Sequence, residues 1–594
     1  MRLKTHWLGV LIFSVFCLNT SVLAQSGKKG KDAGPGIGII VLKGSLSDGP
    51  AGMPNPFTVS SGDTLRSVQD RISQAAKDND LKALVLHMEG FKADWNEQSE
   101  LRQSLSSYRK AGKKVYCFME SASMGGYLVA SACDEVIIPP VGGVEIPGIR
   151  FEITFFKDAM DKIGLKGDVV PLGDFKAAGE PFSRSKMSEA NRKQWDKLAD
   201  DYFEILVETL ASSRKGFDAT KARNAVDVGM YTPKAALEAG LVDKIAYVDD
   251  VITEVKQQSG IEKIAVRKDY GKSKSELDLS NPFALLKMLT PQKDAKLNDK
   301  PKVAVIYAQG AIQTGKSGVS MMGESMGSTT MVDLIKKAAD EPTVKAIVLR
   351  VDSPGGSALA SDLIWKATID AKKPIIVSMG SMAGSGGYYI SCGADRIFAE
   401  PGTITGSIGV ISMKLVMGGI FEKIGINNEL VTRGKRSDFM SMDRPFTEEE
   451  RGVMVNMMSD VYDTFLNRVL EGRKKAGRNL TLEDIKKVAG GRIWTGRTAK
   501  EIGLVDEVGT LNDAIAYAKK KVGLEDNKEV ELWIQPKGKG SFLDSLFDAE
   551  VTSKIQGLIH SMPSLQKHLQ LFDMVSRHPQ ERIWLMAPYA VQSK

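Results

Sequence analysis

The sequence predicts an α/β protein assembled from two tandem copies of one parallel-sheet domain, and three observations carry this. Stretches recur in the same order at a spacing of about 260 residues: "LKALVLHMEGF" (81–91) returns as "VKAIVLRVDSP" (344–354), and "EAGLVDKI" (238–245) as "EIGLVDEV" (501–508). Short continuous apolar runs such as "VAVIYA" (303–308), "AIVLRV" (346–351) and "PIIVSM" (374–379) read as strands buried on both faces. Between them lie segments of helical spacing, and strand, helix, strand in succession implies βαβ units and a parallel sheet.

Taken in order, the chain opens with "MRLKTHWLGVLIFSVFCLNTSVLAQ". A short basic region, an apolar stretch from Trp7 to Leu18 and a small-residue pattern at Val22-Leu23-Ala24 predict a signal peptide or signal anchor over residues 1–24. A polar linker over 25–35 follows, then a first repeat over 36–260. The polar stretches "KDYGKSKSELDLSNP" (268–282) and "PQKDAKLNDKP" (291–301) mark a linker over 261–301, and the second repeat spans 302–525. In that repeat "SALASDLIWKATIDAK" (357–372) opens on a serine able to cap a helix, and Thr447 with Glu450 forms a capping box before a long amphipathic run. The remainder, 526–594, is a C-terminal extension in which residues 541–575 carry apolar residues at helical spacing.

Composition narrows the function. The chain is 42% hydrophobic and 26% charged, ordinary globular values. Of the net charge of +7, five positive charges precede the first acid, Asp32, so the rest is near neutral and nucleic acid is excluded as an expected partner. Beyond the leader only Cys117, Cys133 and Cys392 remain, too few for a disulfide framework and spaced for no metal site. No phosphate-binding glycine loop stands out either, so no cofactor is expected.

The informative positions are those where the copies differ. "SASMGGYLVASACDEV" (121–136) aligns with "SMAGSGGYYISCGADRI" (381–397), setting Met124 opposite Ser385. Ser385 sits at the start of a helix, where unpaired amides stabilise negative charge, so its own amide and that of Gly386 are candidate oxyanion donors. "DSPGGS" (352–357) supplies Gly355 and Gly356, which let the backbone approach a carbonyl, whereas the first copy reads "EGFKAD" (89–94). A serine nucleophile needs a base, and none of the five histidines (His6, His87, His560, His568, His578) lies in the loops around Ser385. Lysine is the substitute in Ser-Lys enzymes. "PLGDFKAAGEPF" (171–182) aligns with "TRGKRSDFMSMDRPF" (432–446), so Lys176 falls opposite Ser437. The copy with the serine lacks the lysine, and the copy with the lysine lacks the serine: one active site divided between once-equivalent halves. Ser407 in "TITGSIGV" is placed to orient the lysine amine, and Lys435 is a rival base.

The motifs "DSPGGS", "MAGSGGYYIS", "TITGSIGV" and "GDFKAAGEPF", in that arrangement, resemble those of the signal peptide peptidase A (protease IV) family in its long tandem form. The resemblance implies Ser385 as nucleophile, Lys176 as general base, Ser407 as partner of the lysine, and Gly355, Gly356 and Gly386 as oxyanion donors. It also implies a Clp protease/crotonase-like fold and a homotetramer at the membrane surface on the periplasmic side of a bacterial envelope, degrading hydrophobic peptides such as cleaved signal peptides. Two other readings stay open on this fold: a non-catalytic scaffold for hydrophobic peptides or lipid, and crotonase-like acyl transfer, against which the export signal argues.

Overall fold

A computed structural model of the chain describes residues 34–50, 63–261, 264–272, 297–320, 323–527, 529–536 and 581–588. The leader (1–24), most of the 25–35 linker and the amphipathic stretch 541–575 lie outside the described residues. Among the described residues no helix is long and apolar enough to cross a membrane.

Each half is a parallel sheet flanked by helices. In the first half six parallel strands stand in the order Ala265–Arg267, Gly36–Lys43, Leu81–Glu89, Lys114–Met119, Glu135–Ile138, Lys244–Ile245. The second half repeats this with Glu531–Gln535, Lys302–Gln309, Val344–Ser353, Ile375–Gly384 and Arg396–Ala399, all parallel. Both sheets therefore run past the ends expected from sequence, because Ala265–Arg267 and Glu531–Gln535 each add an edge strand beyond residues 260 and 525. The helix expected at 357–372 runs Ala358–Asp370, with Ser357 Oγ accepting from the Ala360 amide, and Glu448–Lys475 carries the Thr447/Glu450 capping box.

The halves are not beads on a string. A seven-stranded third sheet crosses between them: Lys166–Leu172 of the first half runs antiparallel to Val410–Val416 of the second, pairing Leu172 with Val410 and Lys166 with Val416. The cores interlock as well, with Ile404 and Ile493 packing into the first half's core and Val170 into the second's. A buried guanidinium adds a polar seam. Arg350, fully buried, donates to Asp48 (2.8 and 3.1 Å) and Asn96 of the first half and to Ser378 Oγ (2.8 Å) of its own, with Glu100 and Glu400 within 3.4 and 3.8 Å. Truncating one member of such a network would leave an uncompensated buried charge, a cost of about 3–5 kcal/mol.

Candidate active site

The cross-half strand pair delivers the lysine. The pairing ends at Leu172 and Val410, and a turn at Gly173 (φ +112°), closed by the Lys176 amide donating to the Gly173 carbonyl at 3.1 Å, carries Lys176 to Ser407. The loop carrying Lys176 is then clamped by the second half: the Phe175 amide donates to the Gly490 carbonyl at 2.9 Å. Gly491, at φ +85°, approaches so closely that an added Cβ would lie 2.6 Å from Lys176 Cα. Only glycine fits there. Sequence reasoning missed this clamp, although the Gly-Gly pair in "AGGRIW" (489–494) was its visible trace.

The serine arrives on the strand Ile375–Gly384 and caps the short helix Gly386–Ser391. Its backbone is strained, at φ +53° and ψ −110°, and Ser407 is similarly held at φ +52°. Such conformations in non-glycine residues cost on the order of 1–3 kcal/mol each and persist only where surrounding contacts impose them. Here the Ser385 amide donates to the Gly406 carbonyl at 2.8 Å and the Ser407 amide to the Arg492 carbonyl at 2.7 Å. The expectation that Ser385's own amide is free for an oxyanion is therefore corrected, since it is consumed in holding the turn.

Lys176 Nζ lies 2.7 Å from Ser385 Oγ, 3.0 Å from Ser407 Oγ and 2.8 Å from the Ser407 carbonyl oxygen. All three side chains are buried. Burial alone drives the amine well below the usual lysine value, favouring the neutral form. A neutral amine has two N–H donors and one lone pair. The Ser407 carbonyl can only accept, and Ser407 Oγ can take the second N–H, which leaves the lone pair facing the Ser385 hydroxyl. That is the orientation a general base requires.

The glycine turn closes the other side. Gly386 packs against it so tightly that an added Cβ would meet Gly355 Cα at 3.1 Å and Ser361 Oγ at 2.6 Å. Gly386 opens its helix, where an amide has no intrahelical acceptor. The Gly355 amide donates to Ser353 Oγ at 3.1 Å, so the expectation that it serves an oxyanion is corrected for the same reason as for Ser385, and Gly356 faces a strand from the C-terminal region. Lys435, the rival base, is excluded by position: it is exposed and pairs with Glu449 at 2.8 Å. Ser437, the counterpart of Lys176, is likewise exposed, its hydroxyl donating to the Gly434 carbonyl. In the first half Met124, the counterpart of Ser385, is buried in the apolar core as the first residue of the helix Met124–Ala130, after Ser123 in ordinary extended backbone, so that copy has lost the strained turn together with the hydroxyl.

Comparison with known proteins decides the family. The model of peptidase family S49 matches twice, over residues 107–262 and 367–525. The chain belongs to peptidase family S49. The two S49 matches fall one in each half, so the chain carries the family's domain in tandem. Among relatives, the chain is 32% identical to Protease 4 of Salmonella typhi over 497 residues, covering 81% of this chain and 76% of that protein. It is 31% identical to Protease 4 of Haemophilus influenzae over 486 residues (80% and 75%). To the chloroplastic serine protease SPPA of Arabidopsis thaliana it is 30% identical over 502 residues (83% and 70%). As an S49 protein the chain is a protease, and the cross-half contact between Lys176 and Ser385 is the feature around which its chemistry is to be read.

Proposed function

We propose that this S49 protein is a serine endopeptidase whose nucleophile and base come from different halves. The observation that carries the reading is the 2.7 Å contact of Lys176 Nζ with Ser385 Oγ in a buried setting that favours the neutral amine. Ser385 Oγ attacks the substrate carbonyl carbon as its proton passes to Lys176 Nζ. The Gly386 amide, at the start of its helix, stabilises the oxyanion, with the Gly355–Gly356 turn packed against it. Collapse breaks the C–N bond, Lys176 returns the proton to the leaving amine, and an acyl-enzyme ester remains. Water then attacks that ester with Lys176 again as base, releasing the acid and restoring the serine. Ser407 holds the amine through its hydroxyl and carbonyl.

The substrates in this reading are hydrophobic peptides, cleaved signal peptides among them. The support is the family resemblance together with the apolar cluster of Ala178, Phe182, Ile411 and Met413 beside the Lys176 loop. The basic and apolar leader supports a place in a bacterial envelope at the membrane surface, with the tetramer implied by the family resemblance. The test is hydrolysis of a fluorogenic apolar peptide by wild type, Ser385→Ala and Lys176→Ala, with circular dichroism confirming that all three fold. Loss of turnover in both variants is expected. Full activity in Lys176→Ala would place the base elsewhere, and turnover in Ser385→Ala would sink the serine mechanism.

A further inference from the structure

Residues 490–492 tie the lysine loop to the Ser407 turn through their main chain: the Gly490 carbonyl accepts from Phe175, the Gly491 amide donates to the Ile408 carbonyl at 2.7 Å, and the Arg492 carbonyl accepts from Ser407. Ile493–Thr495 then runs antiparallel to Ile404–Gly406. The first half builds the same corner. "VGMYTPKAALEAGLVD" (228–243) aligns with "GRIWTGRTAKEIGLVD" (491–506), which sets Gly229 opposite Arg492. Met230–Tyr231 runs antiparallel to Gly143–Glu145, and the Gly229 carbonyl accepts from the Ile146 amide at 2.7 Å, the same length as the bond from Ser407 to Arg492. A glycine therefore suffices for the main-chain bond. The side chain of Arg492 is an addition found in the half that holds the serine.

That side chain lies on two rings. Its guanidinium carbon is 4.7 Å from the ring centroid of Phe175, the residue before Lys176, and 4.5 Å from that of Trp494. Trp494 is fixed in turn, its Nε1 donating to the Val488 carbonyl at 3.0 Å. The buried arginines Arg214, Arg350 and Arg473 each meet a carboxylate, at 2.8, 2.8 and 2.9 Å. Half-buried Arg492 has no ion pair or side-chain hydrogen bond among the described residues, and burial lowers its guanidinium value with no acid to raise it again. A partly desolvated cation without an acid is held by the ring faces, and a planar guanidinium suits them better than an apolar chain or an ammonium.

We propose that Arg492 is a positioning residue of the dyad: stacked on Trp494, its guanidinium holds Phe175, and through it the Lys176 amine, against the Ser407 turn. The inference rests on the peptidase reading above and deepens it. One residue then reaches both supports of the amine, its carbonyl holding Ser407 and its side chain holding the lysine loop. The need for a side-chain hold arises from the loop itself. Residues 173–176 leave the cross-half strand pair at a turn, and their bonds run from the Lys176 amide to the Gly173 carbonyl, from the Phe175 amide to the Gly490 carbonyl, and from Gln194 Nε2 to the Phe175 carbonyl at 3.3 Å. Each of these restrains the main chain, and the stack on Phe175 adds a restraint on the side that faces residue 492. A loosened loop lengthens the 2.7 Å contact of Lys176 Nζ with Ser385 Oγ and admits water to the amine. Small misplacements of a reacting group cost rate steeply. Solvation also returns the lysine toward its ordinary value, so the base is captured by a proton at higher pH.

The test compares wild type with Arg492→Met, Arg492→Lys, Phe175→Leu and the Arg492→Met/Phe175→Leu double variant, all in the full chain, for hydrolysis of a fluorogenic apolar peptide as a function of pH, with circular dichroism confirming the fold. Arg492→Met should lower kcat by about tenfold or more with KM changed less than about twofold, and should move the acid limb of kcat upward by about half a pH unit or more. Phe175→Leu should do the same, and the double variant should be no worse than the poorer single, since both remove one stack. Arg492→Lys keeps the charge without the plane and should fall between Arg492→Met and wild type. An unchanged kcat in Arg492→Met, an acid limb that stays in place, or losses that multiply in the double variant each overturn the proposal. Urea midpoints at pH 7 and 9 supply a readout free of substrate. Wild-type stability rises with pH above the depressed Lys176 value, and the rise should be smaller in Arg492→Met; an equal rise in both overturns the proposal. If wild type hydrolyses no peptide, the peptidase reading fails, and the urea comparison still decides whether Arg492 holds the amine.

Discussion

Replacing Lys176 by methionine separates the cost of burying this amine from its use. Methionine keeps an unbranched apolar stem of similar length and removes the ionisable group. An unfolded lysine titrates near 10.5, and the folded site holds Lys176 well below that because burial penalises the cation. At pH 7 folding must then strip a proton from the amine, a cost of at most about 5 kcal/mol at 1.36 kcal/mol per pH unit below the ordinary value. The substitution removes this cost but leaves the Ser407 carbonyl without its donor, an opposing loss of about 1–3 kcal/mol. Lys176→Met should therefore gain stability at pH 7, by at most roughly 2–4 kcal/mol, while losing turnover by about 10²–10⁴-fold. The sign of the pH dependence follows from the depressed value. The unfolded chain binds the extra proton, so wild-type stability rises with pH toward 10.5, and the advantage of the methionine variant shrinks as pH rises above the depressed value, by up to about 1.4 kcal/mol per unit. Urea unfolding at pH 7, 8 and 9 reads this directly. A methionine variant less stable than wild type by the same amount at every pH would mean a lysine charged in the native state, and would refute the base assignment.

Three further outcomes follow from the same geometry. On the acid side, kcat/KM for a neutral peptide should rise with pH through the depressed Lys176 value and reach its plateau well before 10.5; a rise only near 10.5 would place the amine in solvent-like surroundings. Gly491→Ala puts a Cβ against the Lys176 backbone at a positive φ, so a loss of about 1–3 kcal/mol in chemical denaturation and a fall in kcat of more than tenfold are expected. Asp352, buried beside Asp48 and Asp94 in the strand that leads to the glycine turn, is raised to about 7, chiefly by burial. Its folded form keeps a proton that the unfolded chain loses above its ordinary 3.8, so its contribution is full at low pH and is lost as pH rises through about 7. Asp352→Asn should flatten that part of the decline, as read by urea midpoints at pH 5 and 8.

Much of this protein was legible as a string of letters. The duplication, the α/β class and the caps on Ala358–Asp370 and Glu448–Lys475 are local or repeated patterns, and such patterns survive without knowledge of the fold. The pairing of Ser385 with Lys176 was also legible, though for an unusual reason. Duplication supplies an internal alignment, and complementary losses at Met124 and Ser437 single out two residues that neither helical nor strand period would mark. Without the second copy, a buried lysine in "GDFKAAGEPF" reads like any surface lysine.

What the tertiary structure alone decided lies where partners are far apart in sequence. The strand pair ending at Leu172 and Val410, with the Gly173 turn that follows it, brings Lys176 to Ser407, while Lys435 stands in solvent against Glu449. The Gly491 clamp, the engagement of the Ser385 amide by Gly406 and the Arg350 seam are close approaches between segments with no sequence relation. The strand Trp584–Met586 is the sharpest case, since three residues carry no measurable period and only a gap between two existing strands turns them into a strand. The sequence by itself determined which elements form, because propensity, capping and hydrophobic period act within a few residues. Which of them meet was settled by packing and by satisfying backbone hydrogen bonds across hundreds of residues, and in this chain the Lys176–Ser385 contact and the strand Trp584–Met586 are both products of that second kind of constraint.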